Sequence, residues 1–184
     1  MKNRQPAGLV AVAAAVAATF VAGCGYSLAG RGSFLPPEIK SIGIPPFINR
    51  TAIFNLETQL TQKVRTEFIG RGRYQILPEA SGVDAVLTGE VSNISVQPAS
   101  FTPQQLASRY IITMSARVEL RDTKTNTVLW ENPALLFRQE YDAPTSTTGG
   151  IPDPAAFLGQ DLNALDRITN EFARTIVSAI LEAF

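Results

Sequence analysis

Arg109-Tyr-Ile-Ile-Thr-Met-Ser-Ala-Arg-Val-Glu-Leu-Arg-Asp122 is the stretch on which the fold turns. Ile112, Met114, Ala116, Val118 and Leu120 alternate with Thr113, Ser115, Arg117, Glu119 and Arg121. A period of two sustained over that length is a β-strand with one face in a core and the other in water. Asp122-Thr-Lys-Thr-Asn126 has the composition of a turn. Thr127–Glu131 and Leu135–Tyr141 return as the partner strand, interrupted near Asn132-Pro133, so the region reads as a hairpin. Upstream, residues 84–96 give a further strand. Ala85, Leu87 and Val91 share one parity and Ile94 and Val96 the other, a phase change that calls for a bulge or a bend.

Outward from this hairpin the pattern changes. Ile39, Ile42 and Ile44, stopped by Pro45-Pro46, read as a first strand, and Tyr74–Leu77 as a short one. From about Ile53 to Ile69, Leu56, Leu60, Val64 and Phe68 recur every four residues as the buried stripe of a helix, with Gly70-Arg71-Gly72 as its stop. Asp142–Asp153 is a loop. Asp153-Pro154 offers an N-cap and a first-turn proline, and Phe157, Leu158, Leu162, Leu165, Ile168, Phe172, Ile176 and Ile180 run down one side of a long helix. The expected fold is α+β: a two-layer sandwich with a mixed or antiparallel sheet of four to five strands and two helices on one face.

The 184 residues suit one domain. Lys plus Arg and Asp plus Glu are equal at 16 each, which argues against a nucleic-acid partner. With no histidine and one cysteine, a Cys/His zinc site, a Cys/His dyad and a Ser/His/Asp triad are all excluded. Asp161, Asp166 and Glu171 are better explained as the solvated side of the last helix than as acid/base machinery, and no phosphate loop of Walker or Rossmann type occurs. The chain is read as a non-enzyme without metal or cofactor. Trp130 reads as a buried strand aromatic in preference to a ligand platform.

At the N-terminus Lys2 and Arg4 precede a run without charge from Gln5 to Gly23, the layout of a secretory signal. Val21-Ala22-Gly23-Cys24 resembles a bacterial lipobox, in which cleavage precedes a cysteine whose sulfur carries diacylglycerol. No second cysteine exists with which Cys24 could form a disulfide within the chain. Residues 1–23 are thus expected to be a signal peptide, 24–37 a lipidated tether rich in Gly, Ser and Pro, and 38–184 the folded domain. Gly25 stands where many lipoproteins carry the aspartate that retains them at the inner membrane, so the resemblance points to the outer membrane, facing the periplasm.

Cys24-Gly-Tyr-Ser-Leu-Ala-Gly30, Leu35-Pro-Pro-Glu-Ile-Lys-Ser-Ile-Gly-Ile-Pro-Pro-Phe47 with Asn49, and Val128-Leu-Trp-Glu-Asn132, in that order, resemble the LptE family of lipopolysaccharide-assembly lipoproteins. The resemblance implies an accessory subunit of the lipopolysaccharide translocon that plugs an LptD-type outer-membrane β-barrel, aids its assembly and helps deliver lipopolysaccharide to the outer leaflet. A polar sheet face left uncovered by the two helices would suit a polar barrel lumen, although antiparallel sheets also leave such faces simply in water. Direct contact with lipopolysaccharide phosphates would use Arg or Lys. Arg109, Arg121, Lys124 and Arg138 are the candidates, and each serves equally as a solvated surface charge. The alternative function is a periplasm-facing lipoprotein that carries a hydrophobic ligand, which would need an open apolar pocket.

Overall fold

A computed structural model of the chain describes residues 35–103, 107–142, 153–160 and 162–184. All of them fall in one compact unit spanning Ser33–Phe184. The expected signal peptide and Cys24 lie outside the described residues.

The alternation around Arg109–Asp122 builds the centre of the sheet. Strand β4 is Ala85–Phe101, β5 is Ala107–Asp122 and β6 is Val128–Asp142. They form an antiparallel meander, β4 on β5 and β5 on β6. At about 3.3 Å per residue these strands are each roughly 50 Å long. Three short strands complete the six-stranded sheet: β1 (Ser41–Gly43), β2 (Ile48–Asn49) and β3 (Gln75–Leu77). The order is β3-β1-β4-β5-β6, with β2 also paired to β4. The pairings of β1 and β2 with β4 are parallel, as is that of β1 with β3. The sheet is therefore mixed, as expected, with one strand beyond the expected four to five.

Helix α1 (Leu56–Gly70) crosses between β1 and β3, and α2 (Pro154–Gln160) and α3 (Leu162–Leu181) follow β6. Leu56, Leu60, Val64 and Phe68 of α1 are fully buried, as are Phe172, Ile176 and Val177 of α3. Burying each such side chain is worth roughly 1.5–3 kcal/mol, which explains why the four-residue stripe becomes a helix here. The two helices lie side by side and run in the same direction. Lys63 Nζ is 2.7 Å from Asp166 Oδ1, and Arg71 Nη2 donates to Ser178 Oγ at 3.0 Å. The sheet face beneath them carries Ala85, Leu87 and Val91 of β4 and the even-numbered residues Tyr110 to Leu120 of β5, all buried. Aromatic pairs fasten the helical layer to the far half of the sheet: Tyr110 with Phe157 at 5.0 Å and Phe137 edge-on to Phe172 at 5.6 Å.

Pro45-Pro46 ends β1 as expected, because neither residue can donate to a ladder. The chain then rejoins the same edge of β4 as β2, which the sequence did not announce. The backbone groups freed by the break are satisfied by α1: the Arg65 guanidinium donates to the Ile44 carbonyl, and the Phe47 N–H donates to Thr61 Oγ1 at 2.9 Å. Gly72, at φ 68°, supplies the left-handed turn after α1, donating its N–H to the Ile69 carbonyl at 2.9 Å. Asp153 caps α2, its Oδ1 accepting the Ala156 N–H at 2.9 Å.

Several expectations are corrected. The long helix after Asp153 is described as α2 and α3, on either side of residue 161, which lies outside the described residues. β6 is continuous through Asn132-Pro133, where a register shift against β5 absorbs the proline. β4 and β5 run past the ends that the alternation predicts at Val96 and Arg109, to Phe101 and from Ala107. Leu35, assigned to the tether, is buried in the core and donates its N–H to the Tyr74 hydroxyl at 3.1 Å. The phase change in β4 is a register shift between Val91 and Asn93, as the parity required.

Candidate partner-docking face

The helices cover one face of the sheet, and the other is open. Its rows follow from the register. Thr88, Glu119 and Glu131 form one, and Ser95, Thr113 and Arg138 another. Between them Ser115 stands opposite Leu136, and Arg117 faces Glu90 on one side and the bulged Pro133-Ala134 on the other. These residues line a shallow depression of about 380 Å³ that includes Glu90, Ser92, Ser115, Arg117, Ala134 and Leu136. Leu136 at 57 %, Ile48 at 48 % and Val128 at 41 % are exposed apolar residues on this face.

Most charges on this face are neutralised within the fold. Arg50 Nε lies 3.5 Å from Glu90 Oε1, and Arg121 Nη2 lies 2.6 Å from Glu119 Oε1. What remains is a largely polar surface of low net charge. A carrier of hydrophobic ligand would instead need concave apolar surface. A cleft of about 400 Å³ between the start of α1 and α2 is lined by Ile53, Phe54, Ala155, Leu158 and Leu165 among others. It is open to solvent, and Phe54 at its rim is 92 % exposed.

The four sequence-derived cations do not converge. Arg109 stands near the β4–β5 tip, where Nε donates to Asp142 Oδ1 at 2.9 Å and Nη1 lies 3.4 Å from Glu140 Oε2. The Asp142 hydrogen bond and charge, with Glu140, raise its pKa further above the ordinary guanidinium value. Arg121 and Lys124 lie at the opposite end of β5, about 40 Å away at 3.3 Å per residue. Arg121 also donates to the Asn126 carbonyl at 2.9 Å, which ties it to the β5–β6 turn. Lys124 Nζ is 2.6 Å from Asp84 Oδ1, and that hydrogen bond pushes the lysine pKa up. Arg138, on the open face of β6, forms no ion pair among the described residues. Arg117, which the sequence reading left out of the candidates, is likewise exposed and without an ion pair among them. Its mid-strand position on the wet parity of β5 was the available signal.

Among the described residues no group of three or more His, Cys, Asp and Glu side chains could hold a metal ion. Trp130, read as a buried strand aromatic, lies on β6 and packs against the core but is only half-buried. Also among the described residues, no helix is long and apolar enough to cross a membrane.

Fold and face together define a two-layer α+β module in which a helix-free sheet surface is available to a partner. Residues 39–180 match the family described as LptE: Lipopolysaccharide-assembly, and the chain belongs to that family. Two solved structures align with the chain at low identity, the first of them closely enough to share its architecture. The hypothetical protein CT253 from Chlamydia trachomatis aligns with a TM-score of 0.52 at 12% identity, covering 78% of this chain and 96% of that one. The rare lipoprotein B from Shewanella oneidensis aligns with a TM-score of 0.44 at 15% identity, covering 77% and 96%. No curated protein matches the chain.

Proposed function

We propose that this chain is a lipid-anchored accessory subunit of the outer-membrane lipopolysaccharide translocon. In this reading Cys24 carries the lipid, the domain faces the periplasm, and it seats within an LptD-type β-barrel, assisting the barrel's assembly and the delivery of lipopolysaccharide to the outer leaflet. Family membership supports the reading. The observation that carries it physically is the open sheet face, a polar surface of balanced charge along strands of 15 to 17 residues. A polar barrel lumen is the kind of wall that can supply partners for the charges this face leaves without an ion pair among the described residues, Arg117, Glu131 and Arg138. The work is binding and positioning, with no catalysis.

Lipopolysaccharide contact through Arg109, Arg121, Lys124 and Arg138 belongs to the same proposal. Arg138 is the readiest of the four, because a phosphate reaching the other three must displace a carboxylate already at 2.6–2.9 Å. The test is affinity purification of tagged full-length protein from detergent-solubilised outer membrane of its host, with mass spectrometry of what co-elutes. A near-equimolar large β-barrel is the expected result. Recovery without a barrel, in detergents that preserve such complexes, overturns the reading.

A further inference from the structure

The two edges of the sheet are unequal. One ends in β3, three residues long, and the other in β6, fifteen residues long, whose outer edge pairs with no strand among the described residues. A long unpaired edge presents a row of free N–H and C=O groups and is a template for another strand. Edges are commonly protected by charge, proline and bulges, and β6 has all three in Glu131, Arg138, Pro133 and the register shift beside them. The placement of these features, however, does more than block pairing.

Before the bulge the open-face residue of β6 is Glu131, opposite Glu119. After it the open-face residues are Leu136 and Arg138, opposite Ser115 and Thr113. The bulge therefore switches the open face from odd to even positions. A second β6 laid antiparallel on this edge keeps open face against open face only if odd positions on one side of the bulge meet even positions on the other. The register that puts Glu131 opposite Arg138 of the second copy satisfies this and, by two-fold symmetry, puts Arg138 opposite Glu131. In the same register Leu136 meets Pro133, Asn132 meets Phe137 and Trp130 meets Gln139. Asn132, Phe137, Trp130 and Gln139 all lie on the helix-covered face, opposite Val118, Met114, Leu120 and Ile112. The pairs of 130–133 with 136–139 thus match in face, and only the bulge residue Ala134, set against Leu135 at the two-fold axis, does not. Sliding by two residues sets Glu131 against Glu140 or against Leu136, losing the attraction in either direction.

Glu131 and Arg138 are exposed, and neither has an ion pair among the described residues. We propose that β6 is a self-pairing edge: two copies of this chain join β6 to β6 antiparallel, with Glu131 and Arg138 forming two reciprocal cross-strand ion pairs, to make one continuous sheet. The interface is isologous and closed. It has few residues per side, so association is weak and concentration-dependent. Self-paired chains cover the edge and occupy Arg138, so this state belongs to the subunit not yet engaged with a barrel, and the proposal does not depend on that partnership.

The test is sedimentation velocity of full-length protein across a concentration series, in enough detergent that micelles seldom hold two chains by chance. Wild type is expected to shift from monomer to dimer. Arg138→Glu and Glu131→Arg each replace two attractions by two repulsions and are expected to weaken dimerisation about tenfold or more. The double reversal, Glu131→Arg with Arg138→Glu, restores both pairs and should return the dimer to near wild-type strength, which also shows that the single variants fold. A wild type that stays monomeric throughout overturns the proposal. So does a dimer unaffected by the single reversals, or a double variant as weak as either single one.

Discussion

The ring of Phe47 lies directly over the bare Cα of Gly89: a Cβ placed on Gly89 would come within 2.4 Å of the ring. Phe47 is the residue that follows Pro45-Pro46, and it is buried at 3 % exposure. The proline break and the glycine are thus one device, which lets the chain step from β1 to β2 along β4 while its aromatic side chain fills the space where a side chain of β4 would stand.

Gly89→Ala is expected to destabilise the domain by about 1–3 kcal/mol through overpacking, despite alanine's advantage in the unfolded chain. Urea denaturation of the variant should show a lower midpoint with an unchanged slope. Phe47→Leu in the same chain makes room for the methyl group, so the double variant should lose less than the two single losses added together.

A second prediction concerns Thr61, buried at 2 % exposure on α1. Its hydroxyl accepts the Phe47 N–H and donates to the Glu57 carbonyl. Thr61→Val keeps the shape and leaves the Phe47 N–H buried and unpaired, at a cost of about 1–3 kcal/mol. Thr61→Ser retains the acceptor and should cost clearly less. Equal losses in the two variants would mean that packing, and not this hydrogen bond, sets the cost.

These residues also show where sequence reading ends. The alternation in β5 and the parity switch in β4 were legible because period-two burial leaves a direct mark on residue type. β2 was not, since a two-residue strand behind two prolines has no period of its own and exists through pairing with Glu90 and Val91. Gln97-Pro-Ala-Ser-Phe101 carries no alternation either and is held as strand by its partners in β5. Pro133 read as a break because it lacks an N–H, yet a bulge on an edge strand accommodates it. At the site, charge could be read and its neutralisation could not: Lys124 meets Asp84 across 40 positions, a contact that only the fold creates.

Asp84 yields a pH prediction. Its carboxylate accepts hydrogen bonds from Lys124 Nζ at 2.6 Å, the Lys40 and Ser41 N–H groups at 3.0 and 3.1 Å, and Ser41 Oγ at 2.9 Å. The Lys124 bond first, then the backbone donor of Lys40 and the Ser41 donors, hold its pKa well below the ordinary carboxylate range. A folded-state pKa below the unfolded value contributes stability that is present above the unfolded pKa, near 4, and is lost as pH falls below it. Asp84→Asn should therefore lower the melting temperature at pH 7, and its gap to wild type should narrow steadily between about pH 4 and pH 2. A gap that is constant across that range would show that Asp84 acts through shape alone.

Attachment is tested at Cys24. The described chain starts at Leu35, pinned to Tyr74 and eleven positions after Cys24. Fully extended, that stretch reaches at most about 40 Å, so an acylated Cys24 confines the domain to the neighbourhood of its bilayer. The two acyl chains of a diacylglycerol meet what stable anchoring requires, whereas a serine hydroxyl is a far poorer nucleophile for the transfer of diacylglycerol. Expressed in the native host, Cys24→Ser is expected to lose labelling by a radioactive or clickable palmitate analogue and to leave the outer-membrane fraction unless the partner barrel retains it. Repeating the fractionation after partner depletion separates lipid from protein retention. Wild-type protein should stay with the membrane and Cys24→Ser should not. Undiminished palmitate labelling of Cys24→Ser would place the lipid elsewhere and remove the anchor from the proposal.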